Sequence, residues 1–218
     1  MILTFLFVNE IKSQTYIVTY AEKRILDTIA IEKLPEEIQE HKYELAKIPN
    51  LYSLTFSGER SSYTEINKSR TPKFYFKNMQ TGEMIFQLFM GAERISGKDQ
   101  LLDMKWKITD ETEIIKGYES RKAISSWNGY SFTAWFTREI SIDAGPDRFD
   151  GLPGLILKIE FGSTKIEVEE IFVQQSNTEV IQPSSLLATK TILEIDQYMK
   201  AKISGYENIG AGTLIKKI

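Results

Sequence analysis

The sequence predicts a mainly β (α+β) protein: a single curved antiparallel meander sheet, half-barrel-like in outline, with one or two helices packed on it. Three observations predict it. Short runs of β-branched and aromatic residues with a period of two recur along the chain. Several are separated by glycine-containing loops short enough to force antiparallel neighbours, as at Asn128-Gly129 and Gly162-Ser163. Helical patterning is confined to a stretch after Pro35 and another after Pro183. A composition of 42% hydrophobic and 11% aromatic residues supplies a core, and 218 residues fit one domain.

Thr15-Tyr16-Ile17-Val18-Thr19-Tyr20 reads as a strand. Pro35 opens Glu36 to Ile48, with acids in the first turn and a lysine near the end, which fits a helix with Ile38, Leu45 and Ile48 on one stripe. Leu51 to Phe56 returns to the period of two, and the polar segment Glu59 to Arg70 follows. Lys73-Phe74-Tyr75-Phe76-Lys77 and Glu83 to Phe89 flank a loop ending in Gly82 and form a hairpin. Met104 to Ile108 alternates, and Thr109-Asp110-Glu111-Thr112 reads as a turn.

The Asn128-Gly129 hairpin is the clearest, because Asn-Gly favours the type I′ turn. Its register places Ala123, Ser125, Trp127, Tyr130, Phe132, Ala134 and Phe136 on one face. That face is core or pocket lining. If it lines a pocket, Trp127, Tyr130, Phe132 and Phe136 are the candidate ligand-binding residues. Leu155 to Phe161 and Thr164 to Glu169 form the next hairpin through Gly162-Ser163, of type II′. Glu170-Ile171 breaks the alternation and suggests a bulge or strand end. Pro183-Ser184-Ser185 caps a helix expected to run to Lys202, with Ile192, Ile195, Tyr198 and Met199 near one stripe.

The stretch Ser141 to Ile156 holds the densest cluster of Gly and Pro. Leu152-Pro153-Gly154-Leu155 places Pro then Gly as a type II turn requires, with positive φ at Gly154. Gly145-Pro146 and Gly151 add further bends, and Phe149 and Leu152 are apolar residues expected to tuck over the core. The plain reading is a rigid structural loop made by Gly145, Pro146, Gly151, Leu152, Pro153 and Gly154. The sharper one is a ligand or metal loop using Asp143, Asp147 and Asp150 beside Arg148, although their spacing does not match an EF-hand.

Net charge is −3 and no basic run is present, which argues against nucleic acid as a partner. The chain has no cysteine, so thiol catalysis, thiolate metal sites and disulfides are excluded. His41, the single histidine, lies in a Glu/Lys-rich helical stretch and reads as solvated, so no catalytic, metal or cofactor residue is assigned. The apolar run Ile2 to Val8 is too short to span a bilayer. Residues 1–13 read either as a damaged signal peptide or as a first strand, and residues 14–218 as one β-rich domain.

Gly151-Leu152-Pro153-Gly154-Leu155-Ile156 resembles the signature of the uncharacterised GLPGLI proteins of the Bacteroidetes group. The resemblance continues through Trp106 to Thr112, Ile115 to Tyr118, Lys122-Ala123, Ala134 to Thr137 with Glu139-Ile140, and Gly145-Pro146 ahead of Phe149. Ser120 stands where that family often has a cysteine, so no thiol role carries over. The resemblance implies export, hence a periplasmic or secreted setting, with a cytoplasmic one left open, and it brings no catalytic residue. Three functions follow as expectations: a non-catalytic binder of an apolar small molecule, lipid or peptide; an adaptor docking to another envelope protein; or a carboxylate- or metal-dependent hydrolase using the Asp143–Asp150 loop.

Overall fold

The computed structural model describes residues 14–66, 73–90, 93–175, 180, 182, 190–197, 206–208 and 214–216. The reading of residues 1–13 and most of the expected C-terminal helix lie outside the described residues. Eleven strands form one open antiparallel sheet: β1 (Gln14–Arg24), β2 (Asn50–Ser57), β3 (Arg60–Glu65), β4 (Phe74–Asn78), β5 (Glu83–Met90), β6 (Glu93–Gln100), β7 (Lys107–Ile115), β8 (Tyr118–Trp127), β9 (Tyr130–Thr137), β10 (Leu155–Phe161) and β11 (Thr164–Gln175). Their spatial order is β6-β5-β4-β3-β2-β1-β11-β10-β9-β8-β7. Two meanders therefore run outward from a central pair, β1 and β11, which are joined over eleven residue pairs. A separate two-stranded ribbon pairs β12 (Tyr206–Asn208) with β13 (Leu214–Lys216).

The hairpins follow the turn chemistry. Trp127 faces Tyr130 and Ser125 faces Phe132. Asn128 and Gly129 both have positive φ, as a type I′ turn demands. At Gly162-Ser163 only the glycine does, which agrees with type II′. The expected break near Glu170 is a bulge, since Thr19 pairs with Glu170 but Tyr20 pairs with Val168.

Four expectations need correction. The polar segment after Gly58 contains a strand, β3, whose Tyr63 is fully buried. Residues 109–112 do not turn the chain; they lie inside β7, where the register slips between Ile108 and Thr112. Helix α2 (Glu36–Lys47) forms where Pro35 places it, but no residue of it is buried, and Ile38, Leu45 and Ile48 are exposed. The helical cover of the core comes from residues 192–197, where Ile192 and Ile195 pack into it as their stripe predicts, while the short helix α1 (Thr28–Ile31) buries Ile31.

The fourth correction concerns the turn at Pro153. A type II turn would bond Leu155 N–H to Leu152. Here Gly154 N–H donates to the Leu152 carbonyl at 2.7 Å, a tighter three-residue turn, and Leu155 N–H donates to Ile140 at 3.1 Å. The positive φ at Gly154 stands, at 147°. A Cβ there would lie 1.9 Å from the Thr137 carbonyl oxygen, so the loop is pressed onto the end of β9.

The loop explains the shape of the sheet. Five strand steps separate β4 from β10, which in a flat sheet is about 24 Å. Yet Phe149 on the loop accepts a hydrogen bond from Lys77 of β4 through its carbonyl, at 2.7 Å, and its ring lies 5.2 Å from that of Phe161 on β10. One residue touches both strands only because the sheet curls around it. Ala144, Phe149 and Leu152 are buried inside the curl with Tyr20, Tyr63, Phe86, Phe136 and Ile159. The inner face is thus mostly a filled core, and the loop is what fills it.

Candidate functional site

Two lysines on the inner face of β4 and its lead-in hold the loop. Lys77 is fully buried. Its ammonium donates to the carbonyls of Phe149 (2.7 Å) and Gly145 (3.3 Å) and lies 3.2 Å from Asp150 Oδ2. The Asp150 oxygen is close enough for an ion pair but not aligned for a hydrogen bond, so Lys77 is satisfied chiefly by backbone. Trp106 Nε1–H donates to the Asp150 carbonyl at 2.8 Å, and Asp143 Oδ1 accepts from Gly151 N–H at 2.5 Å. These contacts set the loop as a rigid insert, the plain reading of Gly145, Pro146, Gly151, Leu152, Pro153 and Gly154.

Lys73 makes the second anchor, at one end of the curl. Its ammonium lies 2.9 Å from Glu22 Oε2 on β1 and 2.9 Å from Asp147 Oδ2 on the loop. Asp147 Oδ1 accepts from its neighbour Arg148, from the backbone N–H at 2.7 Å and from Nε–H at 3.3 Å. Arg148 Nη1 comes within 3.8 Å of Asp196 in the helical segment. Glu22, Lys73, Asp147, Arg148 and Asp196 thus form a ladder of alternating charge across β1, the start of β4, the loop and the helix. Asp147 adopts φ +56° to enter it, an uncommon conformation for a non-glycine residue, in a turn closed by Phe149 N–H on the Pro146 carbonyl.

The ladder forms one wall of a cleft of about 380 Å³. Tyr52 and Tyr75 adjoin the charges, and Lys73 sits 5.0 Å over the Tyr52 ring. Leu88, Ile95, Phe161 and Ile195 add apolar lining. Where titration is perturbed here, it is moved away from neutral pH. Burial works against the Asp147 charge, but Lys73 and Arg148 outweigh it and hold the carboxyl below its ordinary range. Burial likewise opposes the Lys73 charge, and Asp147 and Glu22 more than restore it, so Lys73 is held well above its usual value. Burial pushes the Tyr52 and Tyr75 hydroxyls up. These groups can pair, orient and donate, but they are not poised to exchange protons near neutrality.

The three loop carboxylates do not meet. Asp143 caps the Gly151 N–H and is raised by its burial, Asp147 joins the ladder, and Asp150 turns to Lys77. Among the described residues no three of His, Asp and Glu converge as metal ligands. His41 is exposed on α2. Phe132 and Phe136 lie in the core, where the Phe132 ring is 5.2 Å from that of Phe149. Trp127 is half-buried against the core, and Tyr130 is exposed near the hairpin tip. Their hairpin reaches the cleft through Asn128, which donates to Asp196 at 3.4 Å. Sequence reasoning missed Glu22, Lys73 and Asp196; its signal for Lys73 was a lysine in phase with the buried Tyr75.

The fold and site define a class: an open antiparallel sheet curled around a lysine-anchored loop, with an ion-pair-walled cleft at one end. A family model described as "Protein of unknown function (Porph_ging)" matches residues 126–158, the segment from the end of β8 through β9 and the loop into β10. Two solved structures of PNGF-II, in C2 and P21 space groups, are similar to the chain. The first has a TM-score of 0.55 at 18% identity, covering 87% of this chain and 33% of the other. The second has a TM-score of 0.57 at 19% identity, covering 89% and 34%. The chain therefore spans about a third of the length of those proteins, and at such identity the likeness is one of fold. The search of curated proteins gives no match.

Proposed function

We propose that the chain is a non-catalytic binding module whose cleft takes an apolar ligand, a lipid chain or peptide side chains, with the charge ladder orienting its polar end. The observation that carries this reading is the mixed lining of the cleft, in which apolar Leu88, Ile95, Phe161 and Ile195 share one cavity with the paired charges. Its volume falls in the range of small-ligand sites, about 300–1,000 Å³. The shifts of Asp147, Lys73 and the two tyrosines favour holding over acid–base chemistry. The GLPGLI resemblance supports an exported setting, periplasmic or secreted, and the Porph_ging match covers the same signature loop.

The test is native mass spectrometry of protein purified gently from its own host, repeated with Leu88→Ala. Leu88 lines the cleft on the same face of the sheet as its cross-strand partner Ile95 and is half-buried, and circular dichroism checks that the variant keeps its fold. A reproducible adduct that weakens in the variant supports the cleft as the site. A clean apo mass, or an adduct indifferent to Leu88, rejects it.

A further inference from the structure

We propose that the groove between α2 and the adjoining ends of β1 and β2 is a second binding site, for one molecule of an anionic single-chain amphiphile: an alkyl chain ending in a phosphate or carboxylate. The inference goes beyond the cleft and starts from helix α2. Twelve residues of isolated helix are marginal in water, and packing of an apolar face ordinarily supplies the missing stability. Here no residue of α2 is buried, and Leu45 and Ile48 stand 59% and 73% exposed. Leu26, Leu45, Ala46 and Ile48 instead line an open groove of about 440 Å³. That is the size of a small-molecule site rather than the broad face a protein partner covers.

Charge selects the occupant. Lys23 and Arg24 line the same groove, and its one acid, Glu22, is turned to Lys73 at 2.9 Å. A neutral chain would leave the cations unused, and a free anion would leave the apolar wall uncovered. An alkyl chain against Leu26, Leu45 and Ile48 with its head toward Lys23 and Arg24 uses both. Covering Leu45 and Ile48 would also give α2 the packing it lacks.

The experiment is calorimetric titration of the whole chain with monomeric dodecyl phosphate, alongside dodecyltrimethylammonium and inorganic phosphate. Expected is saturable one-to-one binding of dodecyl phosphate alone, weakened about tenfold or more by the double reversal Lys23→Glu, Arg24→Glu, and reduced by Ile48→Asp. Lys23, Arg24 and Ile48 are exposed, so these variants fold. Equal binding of the cationic amphiphile, or binding untouched by the groove variants, overturns the proposal. So does a ligand-free dimer in sedimentation that Ile48→Asp dissociates, since a second copy would then be what covers α2. If Leu88→Ala abolishes the binding and the groove variants leave it, the amphiphile sits in the cleft: the groove proposal fails and the cleft reading survives.

Discussion

Gly154→Ala tests the claim that the loop is pressed onto β9 and not simply turned. Two costs arise at the one position. Gly154 has φ +147°, a region that side chains rarely enter, which costs about 1–3 kcal/mol. The new Cβ would also lie 1.9 Å from the Thr137 carbonyl oxygen, about 1.5 Å short of ordinary contact. Neither partner is a side chain that can swing aside. Thr137 ends β9 and pairs with Leu155, and Leu155 N–H is bonded to Ile140, so the strand or the loop must move. Overpacking of that kind costs about 1–3 kcal/mol, giving about 2–6 kcal/mol in all. Gly162→Ala is the control. It has φ +53° with nothing within 4 Å of a Cβ, so only the conformational cost of about 1–2 kcal/mol remains. Urea unfolding of both variants, with midpoints compared at unchanged m, reads the difference. Equal losses in the two would refute the close approach at Thr137, and a loss below about 1 kcal/mol at Gly154 would refute the backbone assignment as well.

The remaining predictions concern the charged anchors. Lys77→Met should destabilise by about 3–5 kcal/mol, because it strips the buried Asp150 carboxylate and two loop carbonyls of their cation. Adding Asp150→Asn should restore part of that loss in denaturant melts; if the double variant is as unstable as the single, the pair is not coupled. Asp147 is held below the ordinary carboxylate range in the fold, so the unfolded chain takes up its proton first. Its contribution is complete above about pH 4 and declines as pH falls through the acid range. Asp147→Asn should therefore flatten the acid limb of a stability–pH curve, and an unchanged limb would show that the Lys73 pairing carries no stability.

What the sequence made legible was local. The β8–β9 and β10–β11 hairpins rest on Asn128-Gly129 and Gly162-Ser163, whose backbone demands are met within a few residues, and both came out in the expected register. The strands that escaped, β3 and β6, carry little apolar signal: Arg60–Glu65 has Tyr63 and Glu93–Gln100 has Ile95 as large hydrophobes. Their existence depends on neighbours that pair with them, which no window of sequence contains. Helix α2 erred the other way. Its caps and stripe are readable, yet whether a stripe meets a core is a property of the rest of the chain.

The charge ladder shows why a site can be spelled out and still go unread. In the run from Lys73 to Lys77 the period of two puts Lys73, Tyr75 and Lys77 on one face and Phe74 and Phe76 on the other. Hydrophobicity alone names the phenylalanine face as the inner one. The structure buries Phe76 in a small outer cluster with Ile85 and Val180, and gives the main core the lysine face. Burying two ammonium groups is tolerable only if each finds its partners within the core. Those partners, Asp147 and Asp150 with the Gly145 and Phe149 carbonyls, sit on the loop that fills the curl, some seventy residues further along. The lysines and the loop acids are therefore one feature written in two places. Lys77 and Asp150 fix the loop, so that Lys73 and Asp147, three residues back on the loop and four back on the strand, are left to face the cleft.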